Sequence, residues 1–168
     1  MGSGIIKNDK NEVINKRNDI IDRFEAFAVK QKPAHCPVKH RFTDGMYIRE
    51  VFLPAGTLAT SMIHLTNHPF VVLKGKLKIY DGGDNIKTIE APYTGVTQAN
   101  TRRLLYIEED TIFITFHATD KTDIKEIENE ILDKRQNPLV DDKEFNEFKE
   151  KIMFKNKEVE SCHLLQRR

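Results

Sequence analysis

Residues 54–75 read PAGTLATSMIHLTNHPFVVLKG, and a later block closes at residues 114–119 with ITFHAT. The first stretch opens on a turn, Pro54-Ala55-Gly56, passes through strand-favouring residues, breaks at Leu65 to Asn67, and resumes with Pro69 at the head of a β-branched run. His64 and His68 flank the break, and His117 lies in the later block. Along a straight strand, four residues at about 3.3 Å each hold His64 and His68 about 13 Å apart, too far to share one ion. A chain reversal at Leu65 to Asn67 removes that separation, ending one strand at His64 and starting the next at His68. The stretch therefore predicts a small β-barrel with His64, His68 and His117 gathered at one end.

Working outward, residues 41–119 consist of short β-like runs separated by turn residues, which suits a barrel or sandwich. Expected strands are 46–53, 57–64, 70–80, 86–91, 95–97, 103–107 and 112–117. A hairpin folded about Glu109 would set Arg103 near Thr115 and Thr101 near His117. Lys74, Lys76 and Lys78 alternate with Leu73, Leu77 and Ile79, giving that strand one wet and one dry face. By the same parity His68 shares its side with Phe70, Val72 and Lys74, so bringing His68 inward requires a bulge or a strand buried on both faces.

The flanks are helical. Val13, Ile14, Arg17, Ile20, Ile21, Phe24 and Phe27 repeat at helical spacing between about Asn11 and Val29, and Pro33 and Pro37 end the pattern. After Thr119, the residues Ile124, Ile127 and Ile131 follow a cap at Thr122 or Asp123, and Phe145, Phe148 and Ile152 mark a second segment beyond Pro138. The expected organisation is an N-terminal arm and amphipathic helix over 1–40, a barrel over 41–119, and C-terminal helices with a polar tail over 120–168. The helical stripes pack on the barrel or on a partner.

The chain has 168 residues, enough for one domain of about 100–150 residues plus extensions. Its hydrophobic fraction is 39%, and the polar excess sits at the ends, so the core belongs to the middle. Lys plus Arg number 27 against 26 for Asp plus Glu, a formal net charge of +1 that argues against nucleic acid or an anionic membrane as main partner. No apolar run reaches the roughly 20 residues that span a bilayer. A soluble protein made in the cytoplasm is expected. Cys36 and Cys162 belong to no CxxC pair, so free thiols are the default.

Three neutral imidazoles suit a divalent transition metal, Zn, Fe, Ni or Mn, and an open coordination position permits Lewis-acid or oxygen chemistry. The competing reading is that His64 and His117 are barrel-mouth histidines bonded to backbone carbonyls. His35, Cys36 and His40 form a separate cluster whose spacing matches no zinc pattern. Tyr47, Arg49 and Glu50 precede the turn at Pro54, and in a regular strand Arg49 and Glu50 cannot both face the pocket. Arg102 and Arg103 offer anion contacts.

The arrangement resembles the cupin superfamily, the small double-stranded β-helix. On its first motif His64 takes the second histidine position, His68 the glutamate position and Gly75 the closing glycine, while Met62 replaces the first histidine. On the second motif, aligned at Gln98-Ala99-Asn100, Arg103 stands in place of the metal histidine. CPVKHRFTDGMYIREVFLPAGT, with IHLTNH and EAPYTGV downstream, is similar to cupin-like proteins of tailed bacteriophages. The resemblance covers about Arg41 to Thr119 and implies the barrel, homodimerisation through barrel edges and a phage setting, with the host cytoplasm or the virion as location. Two functions follow as expectations. The first is a non-enzymatic structural or assembly component, a virion protein docking on other proteins through its helical arms and holding no firm cofactor. The alternative is a metal-dependent enzyme or small-molecule binder using His64, His68 and His117, with Arg103 holding an anionic group and Tyr47 or Glu50 as acid or base.

Overall fold

The run Leu104-Leu105-Tyr106-Ile107 is buried on both faces, and the strand that carries it organises the sheet. The computed structural model describes residues 4–82, 86–133 and 160–162. Its elements are α1 (Gly4–Ala28), β1 (Val38–Thr43), β2 (Met46–Leu53), β3 (Thr57–Thr60), β4 (Ile63–His64), β5 (His68–Tyr80), β6 (Lys87–Glu90), β7 (Tyr93–Thr97), β8 (Leu104–Ala118), α2 (Ile124–Ile131), β9 (Leu132–Asp133) and β10 (Glu160–Cys162). The expected class, mainly β with a helix at each end, is the class observed.

β8 pairs along one edge with β2 and β3 and along the other with β5, whose far edge carries β6 and β7. β1 extends the sheet beyond β2, and β10 runs parallel to β3. The hairpin expected about Glu109 does not form: β8 is one strand of 15 residues. Glu108-Glu109-Asp110 contains neither Gly nor Pro to turn the chain, and β5 pairs past it from Phe70↔Thr115 to Tyr80↔Leu104. Thr101 is therefore not folded back on His117. The single expected strand 57–64 is divided into β3 and β4.

The parity problem at His68 is resolved by bulging of β5, whose register on β8 shifts between Val72 and Leu77. Upstream, His68, Phe70 and Val72 are buried; downstream, Leu77 and Ile79 are. Gly75 sits in the shifted stretch at φ +94°, where an added Cβ would lie 2.4 Å from Thr111 Oγ1 and 2.5 Å from the Asp110 carbonyl. No residue with a side chain fits there without displacing β8.

Two apolar clusters use the two faces of the sheet. Inside the curl, Val51, Leu53, Ala59, Phe70, Val72, Leu77, Ile79, Ile89, Leu105 and Ile107 pack together. Outside it, Leu58, Tyr80, Leu104 and Tyr106 meet Ile20, Ile21, Phe24 and Ala28 of α1. The helical stripe thus packs on the barrel of its own chain. Arg102 is 3% exposed and adds an ionic tie to that joint, contacting Asp22 and Glu25, the latter at 2.7 Å.

α2 begins at Asp123, whose side chain accepts from the Glu126 N–H at 3.1 Å. Ile127 and Ile131 are buried against Tyr47, so the helix closes one end of the barrel. The helix expected around Phe145, Phe148 and Ile152 lies outside the described residues, as does the polar tail apart from β10. β1 begins at Val38, inside the segment assigned to the N-terminal arm. The expectation of free thiols is corrected: among the described residues no cysteine is free, and Cys36 is held in a disulfide.

Candidate metal centre

β4 is only two residues long, yet it is pinned from both sides. Ile63 and His64 pair with Asp133 and Leu132 of β9, the His64 carbonyl accepts from Asn100 N–H at 2.8 Å, and Leu65 N–H donates to the Ile131 carbonyl at 2.8 Å. The chain then reverses, with Asn67 Oδ1 accepting from Ala99 N–H at 2.7 Å, and β5 starts at His68 opposite Thr97. This is the reversal expected at Leu65 to Asn67. His117 arrives on β8, opposite Tyr47 of β2.

The three rings meet. Centroids lie 4.2 Å apart for His64 and His68, 4.6 Å for His68 and His117, and 5.0 Å for His64 and His117. One ring nitrogen from each lies within 4.8 Å of the others. An ion with bonds of about 2.0–2.1 Å in tetrahedral geometry would require the donors at about 3.3 Å from one another, so binding would draw the rings closer together. The donor set fits such an ion on a second ground: Nδ1 of His64, of His68 and of His117 is buried without a well-aligned hydrogen-bond partner, although the backbone of Met62 acts on His64 and that of Thr66 on His68, in part the carbonyl-bonded arrangement of the competing reading. Nε2 of His117 is engaged at 3.0 Å with the Thr115 hydroxyl, which holds that ring in place. The group could hold a metal ion.

Burial and mutual repulsion keep these rings neutral, as metal ligands must be. Desolvation, followed by the neighbouring His68, pushes His64 down to about 3. Desolvation, then His64 and His68, pushes His117 down to about 3, and burial lowers His68 as well.

The rings line a cavity of about 110 Å³, room for a small molecule or several waters. Val51, Leu53, Leu105 and Phe113 form its apolar wall, and Glu128, Ile131 and Leu132 close it from the α2 side. Arg103 and Tyr47, both expected at the site, line this cavity. Arg103 is fixed by a reciprocal backbone pairing: its N–H donates to Ser61 Oγ at 2.9 Å and its carbonyl accepts from Ser61 N–H at 3.0 Å. Its guanidinium lies over the Phe70 ring, 5.2 Å from the centroid. Burial raises Tyr47 to about 12, so its hydroxyl keeps its proton, and it shares a hydrogen bond of 2.6 Å with His40 Nδ1 whose donor is set by the histidine tautomer.

Glu50 is not brought to the cavity. It stands on the other face of β2 and binds Lys39 at 3.1 Å and Arg41 at 3.0 Å across the β1–β2 pair. The alternation that excludes Glu50 admits Arg49, which lines the cavity one residue away. His40, grouped in the sequence with His35 and Cys36, instead belongs to the cavity, while His35 is exposed. The β1–β2 register, His40↔Arg49 and Phe42↔Tyr47, is the signal that would have found it. Glu128 was missed because nothing local in α2 shows which face the barrel takes.

No protein-family model matches the chain, and no curated protein matches it. Among solved structures, it is similar to a cupin superfamily protein from Desulfitobacterium hafniense at 10% identity, over 53% of this chain and 82% of that one, with a TM-score of 0.44. It is also similar to a cupin family protein with a double-stranded β-helix fold from Methanocaldococcus jannaschii, at 13% identity over 51% and 82%, TM-score 0.44. An acetylacetone dioxygenase from Acinetobacter johnsonii matches at 17% identity over 52% of this chain and 67% of that one, TM-score 0.43. These likenesses concern the barrel and about half of this chain.

Proposed function

We propose that this protein is a metal-dependent small-molecule pocket, an enzyme or binder, in which His64, His68 and His117 hold one divalent transition ion. The observation that carries the reading is the meeting of three neutral imidazoles, each with a buried nitrogen lacking a well-aligned partner, on the wall of a cavity. A buried polar atom without a well-aligned partner is costly, and one cation held by the three neighbouring rings would offset that cost, competing at His64 and His68 with the Met62 and Thr66 backbone. Three protein ligands leave coordination positions open, and such an ion supplies Lewis-acid or oxygen chemistry there. The chain's own contribution is to exclude water with the apolar wall and to present protonated Tyr47, bonded to His40, and the two arginines.

The assembly reading loses part of its motive, because the stripe of α1 from Ile20 to Ala28 is buried on the same chain, leaving Val13 exposed. Nothing in the fold or in the structures named above supports a virion or phage role.

Elemental analysis tests the proposal. Purified protein offered zinc, iron, nickel and manganese in turn should retain close to one equivalent of at least one of them. The His64→Ala/His117→Ala double variant should lose it while keeping its circular dichroism. A folded wild-type protein that retains none of the four refutes the reading.

A further inference from the structure

The cavity carries more positive charge than its walls balance. Arg49 on β2 and Arg103 just before β8 both line it, and Glu128 is the only carboxylate among its lining residues. Among the described residues, no carboxylate lies within salt-bridge distance of either guanidinium, and Nε of Arg103 is buried with no hydrogen-bond partner. The adjacent residue differs in its ion pairing alone: Arg102, whose Nε likewise lacks a hydrogen-bond partner, is buried on the other side of the chain and met by both Asp22 and Glu25. A buried guanidinium is costly without a counter-charge, and this chain supplies one where the arginine serves packing.

Neither arginine makes an ion pair among the described residues, although Glu128 acts on Arg49 and Asp81 on Arg103 from a greater distance. Arg103 acts electrostatically on His64 and His68, and Arg49 acts on His64 and His117. Both are therefore close to the point where the rings converge. Val51, Leu53, Leu105 and Phe113 give the same space of about 110 Å³ an apolar wall.

We propose that the occupant of this cavity is a small carboxylic acid, bound as its carboxylate by Arg49 and Arg103 with a short apolar body against the wall. The inference rests on reading the cavity as a small-molecule site and does not require the ion. A guanidinium fork matches the two oxygens of a planar carboxylate. Guanidinium forks also bind phosphate, so it is the apolar wall of Val51, Leu53, Leu105 and Phe113 that favours an acid with a carbon body over inorganic phosphate. The size of the space restricts the body to a few carbons.

Calorimetric titration tests this on chelator-treated protein and again after zinc addition. The probes are acetate, isobutyrate and benzoate, each against its own amide, with inorganic phosphate alongside. At least one acid should bind about tenfold or more tightly than its amide, the scale of a charge-assisted hydrogen bond. Arg49→Gln and Arg103→Gln should each weaken that acid about tenfold and leave the amide unchanged, and Arg103→Lys should recover part of the loss. The proposal is overturned if every acid and its amide bind alike, if phosphate binds more tightly than every acid, or if folded arginine variants bind the acid as the wild type does. The wild-type comparison of acid with amide decides the matter even where a variant fails to fold. Acid preference in a protein that retains none of zinc, iron, nickel and manganese would refute the metal reading alone; retention of any of them without acid preference would refute this one alone.

Discussion

At Gly75 the absence of a side chain decides which residues of β5 reach the candidate site. The residue combines a positive φ with a close approach to Thr111 and Asp110. Gly75→Ala should therefore destabilise the barrel by about 2 kcal/mol or more, read as a lowered denaturation midpoint, through both strain and steric conflict with β8. The alternation of Lys74, Lys76 and Lys78 was readable in the sequence, and it showed that His68 needed either a bulge or a strand buried on both faces. Where the bulge falls was not, because a lone glycine in a strand marks an irregularity without giving its register. The histidines make a second expectation at this scale. His64 and His117 sit at about 3 in the fold, against an ordinary value of about 6.5 when unfolded. Between those values the unfolded chain takes up protons that the folded chain refuses. Stability of the metal-free protein should be full above about pH 6.5 and fall as the pH is lowered toward 3. Urea midpoints in chelator at pH 7.5, 6 and 5 measure it, and the His64→Ala/His117→Ala variant should flatten the slope. An unchanged wild-type midpoint between pH 7.5 and 5 would contradict the burial assigned to these rings.

Among the elements, β8 was the least legible. An acidic tripeptide looks like a turn between two strands when read alone, but exposed Glu109 and Asp110 are compatible with an extended backbone, in which Glu109 pairs with Lys76 of β5. Joining the two halves carries His117 to the site through the β2 and β5 registers, with no hairpin needed. α2 was legible in its cap and its Ile stripe, and what it covers was not. The joint between α1 and the sheet depends on a buried arginine with two acidic partners. Arg102→Ala should cost about 3–5 kcal/mol, since it strands the Asp22 and Glu25 carboxylates. A triple variant with Asp22→Asn and Glu25→Gln should recover much of that in thermal denaturation. No recovery would mean that Arg102 acts through packing alone.

For the whole molecule, the sequence conveyed a β-rich middle between helical ends, and the structure adds that the sheet is buried on both sides over part of its width. Leu105 and Ile107 face the interior while Leu104 and Tyr106 face α1. A continuous apolar run cannot reveal that division, because periodicity vanishes when both faces are covered. The same cover has a consequence for reaction order. A contact made within one chain is unimolecular, so the protection α1 gives Leu58, Tyr80, Leu104 and Tyr106 is undiluted at any protein concentration. Removing residues 1–28 would leave those four side chains to find cover from a second molecule. The unfolding midpoint of the shortened chain should then rise with concentration more steeply than that of the full chain, as melts across a hundredfold dilution series would show.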